Sequence, residues 1–339
     1  MSELSSHLPR QSARLWAIAV ASAMLAAAML AGCGGAGGAA SDTGSPVTGA
    51  AQVVAPVTIH AISHSIGQGA DAAPVRGLYA RVNVADPRCT FVVTPPTTAL
   101  PGDPSGTEAH LESTLEFARE QWQPGQSLVA INANYFGGLG NDKSDKWTAN
   151  RPVDIIGLAV SNGKVVSSAR SHGGIGDPAL LIFAGPGAGS SAGRRAEIRY
   201  VSDLSPNALP RLEAAIAGIG SSDTDKFVGG LLVTGGVPCG HLGRVDPLRR
   251  HPRTAVGVAE GGRVLILAVV DGRQPGWSIG ATLPEMAIIM ADLGCTEAIN
   301  LDGGGSSAFV TIDTDGTLVA NRPSDTHFRP VANSILVKW

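Results

Sequence analysis

Apolar and polar residues alternate, with β-branched residues in excess, in short runs that recur along the chain from residue 75 onward. A period of two puts alternate side chains on opposite faces of a strand. It predicts strands near 75–84, 90–94, 127–132, 153–160, 163–167, 179–183, 197–201, 229–233, 254–259, 263–270, 297–302, 307–312 and 331–337. Asn162-Gly163, Gly261-Gly262 and Asp315-Gly316 fall between such runs and read as hairpin turns, because these residue types accept positive φ.

Helical periodicity is sparser. Residues 106–121 carry apolar positions at 111, 115 and 118 and end at Pro124-Gly125, which predicts an amphipathic helix. Residues 208–220 are a second helix candidate. The third has fuller signals: Thr282 and Glu285 form a capping box, Pro284 lies in the first turn, and Gly294 follows Leu293 as a stop. Glu285 is thereby explained as a structural residue.

The third helix lies between the strands at 263–270 and 297–302, a strand–helix–strand unit that reads as a right-handed crossover joining two parallel strands. The fold class expected is therefore α+β: strand-rich mixed sheets, a few flanking helices and one βαβ crossover near the C-terminus. Such a crossover places both strand ends on one edge, where ligands bind in open α/β sheets. Those ends carry Asp271, in "VVDGR", and Asp302, in "NLDGGG". Asn300 and Asp302 share one strand face and Ile299 and Leu301 the other. A similar strand end occurs at "INANYFGG", with Asn132 and Asn134 on one face. Amides and carboxylates beside aromatic rings suit ligands rich in hydroxyl groups, although asparagine also caps turns.

The run Gly303-Gly304-Gly305 exceeds what a hairpin needs and suggests backbone in close approach to a ligand or another segment. The following Ser306-Ser307 does not make a Gly-x-Ser-x-Gly elbow, and no Lys-Ser or Lys-Thr follows the glycines, which disfavours a serine hydrolase and excludes a nucleotide P-loop. Consecutive glycine amides can still form an anion nest, completed by a guanidinium.

Composition narrows the setting. Net charge is −3 and only 16% of residues are charged, with no basic stripe, so nucleic acid is not an expected partner. Arg10 and Arg14 precede an apolar run from Leu15 to Leu30, then Ala31-Gly32-Cys33, the layout of a secretory signal rather than a membrane span. Leu30-Ala31-Gly32-Cys33 resembles a bacterial lipobox, which makes residues 1–32 a lipoprotein signal peptide and Cys33 the lipid attachment point. Gly34 after the cysteine, by resemblance to sorting in two-membrane bacteria, favours the outer membrane. Residues 33–55 read as a flexible Gly/Ala tether, and 56–339 as one domain with a surface excursion at 183–195. Cys89, Cys239 and Cys295 permit one disulfide and leave one thiol, and their spacing makes no zinc knuckle.

"NANYF" (132–136), "RTAVG" (253–257), "VVDGR" (269–273), "LPEMA" (283–287), "AINLDGGGSSAFV" (298–310) and "RPVANSILV" (329–337) occur in the order of the motifs of the phosphodiester glycosidase family, which this chain resembles across residues 132–337. One departure is Asn134, where the family's first motif usually has a second small residue. The resemblance implies hydrolysis of a glycosyl phosphodiester or related glycosidic bond in the cell envelope, with a link to exopolysaccharide metabolism. Cleaving such a C–O bond develops positive charge at the anomeric carbon and requires a carboxylate; the departing phosphodiester requires cationic and N–H donors more than a strong acid. Asp302 is then the nucleophile or base, Asp271 its partner carboxylate, and Arg253 with Gly303, Gly304 and Gly305 the phosphate holders. Asn132 would hold a sugar hydroxyl, and Asn300 and Ser306 are further substrate-binding candidates. Arg329 either binds anions or ties down the last strand, and His251 sits either in the cleft or on the surface. No organic cofactor is required, and Mg²⁺ or Ca²⁺ bridging Asp302, Asp271 and phosphate is compatible with paired carboxylates. Two alternatives stand beside this reading: a polysaccharide-binding envelope lipoprotein without turnover, and a phosphodiesterase cutting P–O on two metals.

Overall fold

The computed structural model describes residues 55–66, 73–139, 147–169, 171–172, 175–186, 191–204, 207–219, 230–239 and 246–339. The expected leader, Cys33 and the tether up to residue 54 lie outside the described residues, as do residues 187–190 of the expected surface excursion.

Seven strands and two helices position the site: β1 (Val57–Ile66), β2 (Ala73–Asn83), α1 (Thr114–Gln121), β3 (Leu128–Asn132), β4 (Arg253–Ala259), β5 (Val264–Val270), α2 (Leu283–Asp292), β6 (Glu297–Asn300) and β7 (Phe309–Ile312). The largest sheet runs β1-β2-β5-β4-β6 and ends with the short strands Leu231–Thr234 and Val237–Pro238. A second sheet has the order Leu318–Ala320, β7, β3, Ser334–Lys338, Thr90–Val93. A third sheet is built from strands between Ala159 and Ala217, with Leu212–Ala217 at its centre.

The three sheets meet in one core. Val256, Val258, Leu265, Leu267, Val269, Ile299 and Leu301 of the large sheet pack with Val129, Ile131 and Phe309 of the second and Leu180, Ile182 and Ile216 of the third. The alternate positions of β5, Ile266, Ala268 and Val270, turn to the opposite face against Leu283, Met286, Ile289 and Met290 of α2. β5 is therefore buried on both faces, which explains why "VLILAVV" has no polar position. Each buried Val, Leu or Ile side chain contributes about 1.5–3 kcal/mol by leaving water. Gly257 on β4 lets α2 approach: a Cβ there would lie 3.0 Å from the Met290 methyl and would overlap the Cys295 sulfur. On the second sheet, Leu128 and Ala130 face Phe117 and Ala118 of α1.

Mixed sheets do not form among the described residues, where every strand pair is antiparallel. β5 and β6 are not neighbours: β4 lies between them and pairs antiparallel with both. The β4–β5 hairpin, turned at Glu260–Gly262, occupies one edge of β5, and β2 occupies the other. β5 and β6 nonetheless run in the same direction, with α2 in the connection, so their C-terminal ends fall on one edge. In the register, Arg253 stands opposite Val270 and Ala255 opposite Asn300, which places the start of β4 between the two ends.

Three further expectations change. Residues 208–220 hold a short 3-10 turn at Leu209–Arg211 and then the strand Leu212–Ala217, not a helix. Pro210 interrupts helical hydrogen bonding, and a run of six with Glu213 as its one polar position has too little periodicity to separate a doubly buried strand from a helix. α1 begins only at Thr114, where Ser113 and Glu116 form a capping box, because 109–110 and 112–113 are drawn into short strands. β1 is additional: "VTIHAISHSI" is an edge strand with only Val57 and Ile62 buried, too polar to register as one. α2 matches expectation at both ends, with the Thr282–Glu285 box and Gly294 at φ 88°.

No disulfide forms among the three domain cysteines. Cys89 and Cys295 are buried in different clusters and Cys239 is exposed, all three as thiols. Burial pushes the Cys89 and Cys295 thiols up to about 12, which keeps them unreactive.

Candidate active site at the seam of two sheets

Asp302 sits where the ends of β6, β4 and β3 converge. After β6, the Leu301 amide donates to Thr254 O (2.9 Å) and the Asp302 amide to Ala133 O (3.1 Å), so the turn is stitched to both sheets. Asn132 completes the seam. Its Nδ2 donates to Asp302 O (2.7 Å), and its Oδ1 accepts from the Ala308 amide (3.0 Å) and the Thr254 hydroxyl (2.7 Å). Asn132 is fully buried, and this positioning role replaces the expected contact with a sugar hydroxyl.

The glycine loop turns its amides inward. Gly303 N–H donates to Asp302 Oδ1 (2.9 Å), Gly304 N–H to Pro252 O (2.9 Å), and the Ser306 and Ser307 amides to Gly303 O and Gly304 O. Of the three amides expected to form an anion nest, those of Gly303 and Gly304 are thus occupied within the protein. The glycines serve another purpose: they let arginines lie on the backbone. Gly304 has φ 61°, and a Cβ there would stand 3.1 Å from an Arg273 terminal nitrogen. A Cβ on Gly305 would overlap both the Arg329 guanidinium and the Asp325 carboxylate.

Burial raises the Asp302 carboxyl to about 6, opposed by hydrogen bonds from the Ser306 hydroxyl and the Gly303 amide and by the charge of Arg329. Burial also raises the Tyr135 phenol, and the Asp302 charge adds to it. The phenol oxygen accepts from Asn300 Nδ2 at 2.6 Å. Arg329 pairs with Asp325 (Nε to Oδ2, 3.1 Å); the carboxyl of Asp325 ends below its ordinary value because this partner outweighs burial. Arg273 donates to His251 Nδ1 (3.3 Å from Nε), and His251 Nε2 lies 2.8 Å from Asp246 Oδ2. An accepting Nδ1 assigns the neutral imidazole's proton to Nε2, which donates to Asp246. The result is a half-buried carboxyl poised near neutrality, with Arg329 and Arg273 beside its loop.

Other residues singled out from the sequence have structural roles. Asp271 is buried; its Oδ2 accepts from the Trp277 indole (2.8 Å) and its Oδ1 from Asn321 Nδ2 (2.9 Å) and the Arg322 amide (3.1 Å). Burial still leaves its carboxyl above the ordinary value. It lines a separate cavity of about 460 Å³ with Arg76, Trp277 and Arg322, not the Asp302 loop. A bridging Mg²⁺ or Ca²⁺ does not fit this donor set, because N–H groups already point at both oxygens and would repel a cation. Arg253 is buried, with Nε donating to Ala281 O (3.0 Å) and NH2 to Asp246 O and Arg249 O (2.8 and 2.9 Å); it pins the 246–252 loop instead of facing outward. Asn300 gives Nδ2 to Tyr135 and Leu301 O, while its Oδ1 and the Ser307 hydroxyl are buried with no partner among the described residues.

Sequence reasoning passed over Arg273, Asp325, Asp246 and Tyr135. Arg273 carried the better signal, an arginine just after a strand-end Asp-Gly. Its φ of 60°, with Asp246 at 54° and Thr326 at 61°, places three non-glycine residues in left-handed backbone around one site. Such strain persists only where surrounding contacts impose it, and it clusters at functional sites.

The catalytic domain of zebrafish N-acetylglucosamine-1-phosphodiester alpha-N-acetylglucosaminidase, auto-inhibited by its pro-peptide, is similar at 23% identity and TM-score 0.55, over 84% of this chain and 83% of that one. That likeness is one of fold. A putative exported protein of Burkholderia pseudomallei (18% identity, TM-score 0.49, 78% and 74% covered) and a hypothetical protein from Synechocystis (16%, 0.48, 84% and 64%) are more distant. No curated protein matches the chain. The sequence profile of the phosphodiester glycosidases matches residues 126–338, the span that contains β3, β4, β6 and the Asp302 loop; the protein belongs to the phosphodiester glycosidase family.

Proposed function

We propose that the protein hydrolyses a glycosyl phosphodiester, releasing the sugar from the phosphate by C–O cleavage. The observation that carries this reading is Asp302 itself: a carboxyl with a pKa of about 6 at a strand end, beside the arginines Arg273 and Arg329 packed on glycine backbone. Above pH 6 Asp302 is a carboxylate, able to attack the anomeric carbon or to activate water against it. Arg273 and Arg329 offer paired N–H donors to the phosphate oxygens as negative charge collects there. A phosphodiester leaves as a stable anion, so a second carboxylate acting as acid is dispensable. This accommodates Asp271 in its structural place.

The setting proposed is the bacterial cell envelope, with the chain tethered through a lipid on Cys33, in the outer membrane by the Gly34 criterion, and acting on envelope or exopolysaccharide material. The leader layout and the Leu30-Ala31-Gly32-Cys33 string support it. A second reading, polysaccharide binding without turnover, is favoured by one observation: Asp271 is packed away, so the two-carboxylate pair of ordinary glycosidases is not formed.

The deciding experiment incubates the soluble domain with an N-acetylglucosamine α-phosphodiester in ¹⁸O-labelled water, beside Asp302→Asn. Free sugar labelled at the anomeric oxygen, lost in the variant while binding persists, is the expected result. Label in phosphate would point to P–O cleavage, and binding without turnover across several sugars would establish the second reading.

A further inference from the structure

Next to the Asp302 loop, Leu248, Arg249, Arg250, His251, Arg273 and Thr282 line an open cavity of about 660 Å³. Buried Arg253 lies beneath it, bonded to the carbonyls of Asp246 and Arg249. The carboxylates held by this group are Asp246, on His251 and more loosely on Arg249, and Glu285, on Arg250. The three guanidiniums that line it, against two carboxylates, leave an excess of one positive charge before Asp302 is counted, and buried Arg253 beneath adds a second, in a chain whose net charge is −3. The excess is accessible: the Arg249 side chain is 78% exposed, and its ion pair with Asp246 is 3.7 Å long. Arg253 also pins the 246–252 loop and Arg273 also serves the scissile phosphate, whereas neither the fold nor cleavage of a simple phosphodiester calls on Arg249 and Arg250.

Arg273 belongs to both places. One side of its guanidinium lies against Gly304 in the Asp302 loop, and the same residue lines the bay. A phosphate held there at Arg273 has the bay as its neighbour. We propose that the bay receives a second anionic group carried on the leaving-group side of the phosphodiester. The substrates are then polyanionic glycans or their fragments, with a phosphate or carboxylate beyond the scissile bond. The cavity is of the size that takes small ligands, roughly 300–1,000 Å³, and guanidinium forks pair with phosphate and carboxylate oxygens two at a time. This inference rests on the phosphodiester reading for the identity of the first group, but not for the anion site itself.

The test compares an N-acetylglucosamine α-phosphodiester of methanol with two relatives whose leaving alcohol carries a phosphate monoester or a carboxylate. Wild type is expected to show a kcat/KM about tenfold higher or more for a charged leaving group, an advantage that shrinks in 0.5 M salt. The Arg249→Ala/Arg250→Ala variant, checked for an unchanged fold by thermal melting, should lose that advantage. The two charged substrates distinguish phosphate from carboxylate as the group received. Equal rates on neutral and charged substrates in wild type overturn the proposal, as does an equal fall on all three in the double variant. Calorimetric binding of inorganic tripolyphosphate to the Asp302→Asn protein gives a readout without turnover: about tenfold weaker binding after Arg249→Ala/Arg250→Ala supports the site, and unchanged binding overturns it. Arginine-dependent tripolyphosphate binding with no hydrolysis of any substrate would keep the anion site and reject the glycosidase reading.

Discussion

Two aspartates end two strands of the same sheet on the same edge, yet they have opposite fates. At the end of β5, Asp271 accepts three N–H donors, is 2% exposed and braces the loop that runs through Trp277 to Asn321 and Arg322. At the end of β6, Asp302 accepts one backbone amide and a serine hydroxyl, keeps part of its surface open, and has arginines beside its loop. The two carboxyls are alike in chemistry and in strand position. They differ in how many donors the surrounding chain supplies: a saturated carboxylate holds structure, and an under-supplied one retains free energy to stabilise a reacting group.

That contrast can be broken by substitution. Asp302→Asn is expected to reduce kcat by about a thousandfold or more, as loss of a nucleophile or base does, with the fold unchanged by circular dichroism. If Asp271→Asn matched that loss in a fully folded protein, the two carboxylates would be working as a pair after all.

The second effect in size concerns stability. Asp271→Ala leaves the indole, the Asn321 amide and the Arg322 amide without an acceptor, which should cost about 2–4 kcal/mol and lower the melting temperature by several degrees. Gly305→Ala should act on the Asp302 region alone: the methyl must displace the Arg329–Asp325 pair, so KM for the phosphodiester is expected to rise at least tenfold, with kcat falling less.

The pH profile sharpens the comparison further. Asp302 must be ionised to act, so log kcat/KM should climb with unit slope below about pH 6 and level off above it. A profile flat from pH 4.5 to 8 would remove Asp302 from that role. The smallest expected effect follows from linkage. The folded-state value near 6 lies above the unfolded value of about 3.9, so the folded chain holds the proton more tightly and stability falls as pH rises between the two. Asp302→Asn should therefore stabilise the protein by about 1–3 kcal/mol at pH 7.5 and by little at pH 4.

Much of the fold was legible where local chemistry is self-sufficient. α2 was readable at both ends because Thr282, Glu285 and Gly294 act within a few residues of one another. The parity of β6 was readable because Ile299 and Leu301 must face the core. The strand at Leu212–Ala217 was not, since burial on both faces leaves Glu213 as its one polar position, too few to distinguish a strand's period from a helix's. The partners of β5 were not either, because a crossover and a hairpin compete for the same edge and only the whole sheet decides between them.

The site divides along the same line. The sequence by itself determined that Asp302 ends a strand whose other face is core, that three glycines follow it, and that the order of motifs is that of the phosphodiester glycosidases. Tertiary structure alone decided that the glycines make room for Arg273 and Arg329, that Asn132 and Arg253 face inward, and that Asp271 braces a loop. The physical reason is that a residue's type and strand position specify which hydrogen bonds it can make, whereas its role depends on which partners arrive from segments more than a hundred residues away, as Asn132 and Asp302 do.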